Sequence, residues 1–585
     1  MSKYSQFCKV FFVLPLACAA LLLTACVPSA VNMMPPVTSQ TPLTTDGIVV
    51  ARVINAGGSL LPFNQFTITP KGLNESAANK SPRLTSLPEV SGSSSLFISA
   101  VPAGEYSVDS VRAFYVIGES FYSLWGSGGV DLGVFNVVPG KITDLGTFIY
   151  YRKVDGDKYS DRLIRIPQTD NRMFIQTYRP FLKYDTAAVQ TWVDDGSDTE
   201  RFSNYVALAQ NPTLFSKRYL SASGSLFLLG KLGSILERTP TGDWNQEMLE
   251  TNSDLNTIAQ NARGDLLVGG EQGALFYKAR AGQWQDLSLS VDTEIGAVQW
   301  LSSDDAMVYS IQNEAVTVWR GNPALAKVNW TKQLSYIANQ GWRDANGQVL
   351  ATGEVQATNS KSKSRVKSVR LENFLGADYV RIGVQRAGFD NQFDIFDAVD
   401  QKLFSITANQ QLTYTTAVAN NIDRIIPAGN VSLGVDVAGF WSWTGKDAYH
   451  RYDAESKQWI DIKTSVTNCP GVKASVKSCK INGKTMRRTS GFDFISTPVF
   501  VSPLKGFASV RPTLVGERTP YLAITSDGGQ SWTKLAAEYP GKYCTDMVPE
   551  VSDRIMLYCG GVSGDFYESL DEGKTWRHVR QHQIF

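Results

Sequence analysis

A few residues in this chain have the type and spacing to do chemistry. Arg165 stands in the run "LIRIPQ", Leu163 to Gln168. A guanidinium fork on a strand can hold a carboxylate through two parallel hydrogen bonds. Asp155, Asp157 and Asp161 in "DGDKYSD" offer oxygen ligands at loop spacing. The run lacks the turn Gly and the later Glu of a calcium loop, so it reads as a polar turn and no metal is assigned. Cys469, Cys479, Cys544 and Cys559 are spaced for loop disulfides rather than for the close C-x-x-C pairs of a zinc site. Local pairing, Cys469 with Cys479 and Cys544 with Cys559, is the favoured expectation; buried free thiols are the alternative. His450, His578 and His582 are the whole histidine complement, too few for a His-rich metal site.

Two stretches near the end share a denser pattern: "TSDGGQSWTKL" from Thr525 and "SLDEGKTWRHV" from Ser569. In them Thr525, Asp527, Gly529 and Trp532 correspond to Ser569, Asp571, Gly573 and Trp576. Each type suits a turn. The aspartate can accept bonds across it, the glycine can supply a positive φ, the hydroxyl can bond local backbone, and the tryptophan can bury a ring between sheets. None is a nucleophile or an acid aimed at a substrate. Glycosidases need a carboxylate pair at set separation, and 55 acids give no motif that singles one out. Phosphate-binding loops, dinucleotide fingerprints, G-x-S-x-G elbows and H-E-x-x-H helices are missing. No catalytic residue and no cofactor is assigned. A formal charge of +1 gives no case for nucleic acid.

The elements that carry these residues are read from pattern. Lys3 and Lys9 precede "VFFVLPLACAALLLTAC", an apolar run short for a membrane span and suited to export, giving a signal segment over 1–25. Residues 26–46 are rich in Pro, Ser and Thr and read as an extended tether. Residues 47–150 alternate as strands divided by Gly, Pro and Asn turns, a first β domain. From 151 to 585 the chain is a series of short strands without sustained helical periodicity. "GSLFLLGKLGSILERTPTGDW" from Gly224 aligns with "GDLLVGGEQGALFYKARAGQW" from Gly264, an offset of forty residues. Weaker copies follow. A repeat of that length built from four short strands is the mark of a propeller blade. The expectation is an all-β chain, an N-terminal β-sandwich followed by a seven- or eight-bladed β-propeller, seven preferred. The run "NSKSKSRVKS" inserts Lys361, Lys363, Arg365 and Lys367 on alternate positions, a solvated edge or a docking face for an acidic partner.

Several of these stretches resemble known families. "LTAC", Leu23 to Cys26, resembles the bacterial lipobox. The resemblance implies cleavage before Cys26 and acyl chains on its sulfur and new amine, and Val27 after it favours the outer membrane. "VPAGEYSV", Val101 to Val108, resembles the turn of transthyretin-like and carboxypeptidase-regulatory-like sandwiches. The two Trp motifs resemble the Asp-box of sialidase and BNR-repeat propellers, where it lies on the outer rim and reports architecture. "LIRIPQ" resembles the sialidase R-I-P motif, which would make Arg165 the first of three carboxylate-binding arginines. Ile164 replaces the usual aromatic, Asp170, Asp185, Asp194 and Asp195 compete for the acid/base role without a motif around them, and the remaining arginines and the Tyr/Glu pair have no assignable positions. The chain is most similar to the non-enzymatic photosystem-stability-factor-like and sortilin-like group. That implies a lipid-anchored, non-catalytic scaffold at the outer membrane with an envelope or surface protein as partner. The alternative is a glycan-binding or glycan-hydrolysing, sialidase-like propeller, with Arg165 and aromatics such as Trp441 and Trp443 on the sugar.

Overall fold

A computed structural model describes residues 32–580, apart from 349–381 and connecting stretches of one to eleven residues; between 382 and 430 it describes strands and their pairing only. The signal segment and Cys26 lie outside the described residues. So do Asp157, Cys469, Cys544, Trp441, Trp443, His582 and the basic run from Lys361 to Lys367.

The first unit is built on β1 (Met33–Met34), β2 (Asp46–Asn55), β3 (Gln65–Pro70), β4 (Arg83–Thr85), β5 (Ser94–Pro102), β6 (Gly104–Ile117), β7 (Ser120–Ser127), β8 (Val134–Val137), β9 (Ile142–Asp155) and β10 (Lys158–Ile166). They form one sheet in the order β1-β4-β3-β6-β7-β10-β9-β2-β5, with β8 beside β6. The sequence suggests two packed sheets; the ladder is continuous. Its far strand β5 turns back to the start, where Phe97 bridges Ser86 and Ser99 bridges Pro36. The curled sheet encloses Phe66, Phe97, Phe135 and Phe148. Tyr106 closes one end by donating its hydroxyl to the Pro102 carbonyl at 2.9 Å.

Strand β2 explains why this unit has two cores. Val49, Ala51 and Val53 point into the curled sheet, while Ile48 and Val50 point out to a second apolar layer. That layer is supplied partly by α1 (Arg172–Tyr178), through Phe174 and Ile175. Residues 33–37, which the sequence places in the tether, also join it: Val37 is 1% exposed and its amide donates to Ile98 O at 2.9 Å. A second helix, α2 (Asp198–Gln210), follows. Neither helix is visible as a periodic pattern. The first is two turns long, and the second buries only Arg201, Tyr205 and Ala209 at four-residue spacing, a stripe holding one charge and one methyl.

From Phe215 onward the chain is propeller-like. Five four-stranded antiparallel sheets, over residues 215–248, 255–286, 382–417, 424–461 and 546–580, run in simple sequence order as blades. Between them lie a five-stranded sheet over 294–344 and a six-stranded sheet within 465–534. The forty-residue repeat holds in the strand register of the first two blades. Leu226 faces Arg238 as Leu266 faces Lys278, and Arg238 faces Trp244 as Lys278 faces Trp284. Both blades share a register shift in their first strand, at Phe215/Lys217 and Leu255/Thr257. Neighbouring sheets bury apolar faces between them, such as Phe227 and Leu229 against Val268 and Phe276.

Candidate functional site

Arg165 lies in β10, opposite Phe148 of β9, in the N-terminal sheet and not in a blade. It is 2% exposed. Its Nη1 donates to Leu132 O at 3.0 Å, its Nη2 pairs with Asp198, and its guanidinium sits 4.2 Å over the Trp192 ring. Arg201 donates to the same Asp198 at 3.0 Å and to Asp195 at 2.7 Å. Burial, then the charge of Arg201, lowers the Arg165 pKa, while Asp198 opposes that shift. The fork therefore fastens the start of α2 to the sheet. It is buried under protein, and its carboxylate partner is the chain's own.

The two Asp-box turns are closed circuits of local bonds. In the second, Ser569 donates to Asp571 Oδ1 at 2.8 Å and accepts the Gly573 amide at 2.7 Å. Thr575 donates its amide to Oδ1 at 2.8 Å and its hydroxyl to Oδ2 at 2.6 Å. In the first, Thr525, Asp527, Gly529 and Ser531 make the same contacts between 2.6 and 2.9 Å. Gly529 and Gly573 take φ of 90° and 82°, conformations that side chains resist. Trp532 is fully buried, in edge contact with Phe492 and Phe494; Trp576 packs with Leu522 and Leu535. The Thr575 hydroxyl and amide hold the Asp571 carboxyl down to about 2. Each turn is also docked on the sheet before it. Arg451 donates to Gly528 O at 3.3 Å, and Lys505 pairs with Glu572 at 2.5 Å. Cys479, in the hairpin strand Ser478–Ile481, is disulfide-bonded. Cys559 ends the strand Ile555–Cys559.

A four-stranded meander puts its first and third turns at one end, and its second turn and exit at the other. In the first two blades the second end is covered by the N-terminal unit. Arg52 of β2 donates to Asn252 at 3.2 Å, in the first blade's exit. Lys231, in its second turn, bridges Asp254 at 2.6 Å and the Asn55 carbonyl at 3.1 Å. Gln272, the forty-residue counterpart of Leu232, donates to Ser94 at 3.3 Å. Tyr178 of α1 donates to Asp292 at 2.5 Å, in the exit of the second blade. Ile54, Tyr205, Ala209 and Leu232 form the apolar part of the seam. Arg52 is 4% exposed, and burial lowers its pKa to about 10 against the pull of Asp292, Glu271 and Asp254. Burial raises Asp292, opposed by Tyr178 and Arg52. Sequence reading missed this seam. Its one signal was a charged residue inside the apolar run "GIVVARVI".

The opposite end of the same two blades is open. Between them is a cleft of ≈ 830 Å³, lined by Phe227, Glu237, Asn245, Lys278, Arg280 and Trp284 among others. Glu247 spans the cleft by accepting from Lys278 at 2.5 Å and from the Trp284 indole. The cleft presents hydroxyl, amide, acid and base groups at its mouth, an arrangement that can bind a polar ligand by hydrogen bonds and ion pairs. Among the described residues no group of three or more His, Cys, Asp or Glu could hold a metal. No described helix is long and apolar enough to cross a membrane.

No family model matches the chain. No curated protein matches it either. Solved structures do. YCF48 bound to D1 peptide is 11% identical, at a TM-score of 0.33 over 61% of this chain and 90% of that one. YCF48 from Cyanidioschyzon merolae is 13% identical, at 0.33 over 61% and 92%. Selenomethionine-substituted virginiamycin B lyase from Staphylococcus aureus is 13% identical, at 0.26 over 42% and 68%. Scores this low leave the fold to be argued from the strand ladders of this chain. By those ladders it is a mostly-β protein with a propeller-like arrangement of four-stranded blades.

Proposed function

We propose that this chain is an outer-membrane lipoprotein, acylated at Cys26, whose propeller is a non-catalytic protein-interaction or assembly scaffold. In this reading seven of the eight sheets from 215 to 580 form one closed ring of seven blades, and the two-stranded hairpin Ser478–Ile481 with Lys484–Arg487 is an insertion in the sixth. The observation that carries the scaffold reading is the seam. One end of the first two blades is packed against the chain's own N-terminal unit and so is closed to a substrate. The only guanidinium singled out for carboxylate binding is buried against Asp198 and Trp192. Buried charge and an apolar cluster join the two units, which suits them to presenting a surface together.

Two experiments test it. Crosslinking in intact membranes followed by pull-down of the whole chain should return one reproducible envelope or surface protein, with no turnover of a fluorogenic sialoside. Turnover together with an empty pull-down would sink the reading. Cys26→Ala should move the protein from the membrane to the soluble fraction, since two or three acyl chains at about 0.8 kcal/mol per CH2 account for durable anchoring; unchanged membrane retention would refute acylation at this site.

A further inference from the structure

The outer edges of the blades differ in one respect. The sheet over 294–344 carries a fifth strand, Gly341–Asp344, laid antiparallel on its outer strand Thr331–Ile337 from Ile337↔Gly341 to Leu334↔Asp344. The chain itself thus shows that a blade edge in this fold accepts an added strand. The first blade ends at Trp244–Met248; among the described residues no further strand pairs with it, and its Met248 end packs into the seam beside Tyr205. Its side chains Asn245 and Gln246 are exposed. This edge is one lip of the ≈ 830 Å³ cleft. The facing lip, Trp284–Asp286, is only three residues long.

Chemistry at the cleft mouth is unfinished. Lys278 is paired with Glu247, and Arg263 with Asp265 and Asp304. Arg280 and Glu237 also line the cleft, and among the described residues their side chains have no ion pair or hydrogen bond. Arg280 is exposed and its stem lies 3.1 Å from where a Cβ on Gly264 would sit, which places the charge over the mouth. An extended peptide satisfies both features. Its backbone completes the ladder, and its side chains fall alternately toward and away from the cleft.

We infer that the Trp244–Met248 edge takes up an extended segment of a partner protein as a fifth antiparallel strand, with an acidic side chain of that segment on Arg280 and a donor on Glu237. The inference rests on the scaffold reading and names its contact. The N-terminal unit covers the other end of these blades, so a partner reaches them from this side.

The test uses the whole chain and a displayed library of random peptides about twelve residues long, enough to span one blade edge. Selected peptides should be β-prone and acidic. They should crosslink to a photoreactive residue at Asn245 and not to one at Asp109, exposed on β6. Arg280→Glu should weaken them about tenfold, with its melting temperature unchanged. An empty selection, peptides indifferent to Arg280→Glu, or crosslinks confined to Asp109 overturn the inference. The two readings fail apart. If Arg280→Glu still brings down the membrane partner, the scaffold stands and this edge does not. If no membrane partner is captured while peptides still bind here, the reverse holds.

Discussion

Asp571 accepts from three groups inside its own turn, and that fixes what acid will do to it. Its carboxyl lies at about 2 instead of 3.8, held there by Thr575 first. A depressed carboxyl stabilises the fold fully above its unfolded value and loses that contribution as pH falls through the folded one. Asp527 is lowered in the same direction, with burial opposing and the Ser531 bonds prevailing. Melting temperature should therefore hold above pH 4 and fall between pH 4 and 2 as these turns protonate. Asp571→Asn should melt lower at neutral pH and show a flatter acid limb; a limb as steep as wild type would show that the turn is not the titrating element. Trp532 is a different kind of box residue, because it acts through packing. With no exposed surface, Trp532→Ala should cost about 3–5 kcal/mol in a denaturant titration, and a loss under about 1 kcal/mol would mean that the ring is dispensable. Such residues are legible in sequence because partners lie within four positions. Arg165 was not, because Leu132 and Asp198 are each 33 residues away and nothing local distinguishes a fork that meets them from one that meets a ligand.

Blades were legible as elements for the same reason: strands, turns and tryptophans recur at forty residues, and the ladders reproduce that offset. What the repeat did not convey is how one blade hands over to the next. After the second strand, Leu232–Gly233 and Gln272–Gly273 both take positive φ. Gly233 N then donates to Ser253 O at 2.9 Å and Gly273 N to Thr293 O, so each turn grips the exit of its own blade. A Cβ on Gly273 would meet the Leu289 and Val291 carbonyls at 2.5 and 2.6 Å. Neither atom is a flexible tip that can move aside. Gly273→Ala should destabilise by about 1–3 kcal/mol or more, from the clash and the φ of 73° together. A substitution at Gly242, with φ of 95° and open space around it, isolates the backbone part. Equal losses at the two sites would show that the clash contributes nothing. The helices were not legible, since α2 meets the fold through Arg201, Tyr205 and Ala209, a stripe with a single large apolar side chain.

At the scale of the molecule a ring of blades can close in two ways: the last strand completes its own blade, or a strand from before the first blade joins the last one. Strand β10 pairs with β9 and β7 in the N-terminal sheet. Among the described residues the last sheet pairs only its own four strands. First and last blades instead meet through side chains. Arg238 pairs with Glu568, the Glu568 side chain has no exposure, and Arg577 holds its other oxygen. Trp244 and Phe566 pack beside them with centroids 5.3 Å apart and planes tilted by 46°. The pair spans 330 residues, so no local pattern could reveal it. A buried ion pair adds little over apolar packing, but removing one member strands the other charge. Glu568→Leu should therefore cost about 3–5 kcal/mol, and adding Arg238→Met should recover most of it. Hydrogen exchange supplies the readout that a merely local defect would not give. In Glu568→Leu, amides of Ile555–Cys559 and of the facing strand Ser234–Arg238 should exchange faster together, while those of β2 and β9 keep their rates. Faster exchange on the last sheet alone would mean that the contact sits at the seam without closing it, and that the blades are held in order by their neighbours.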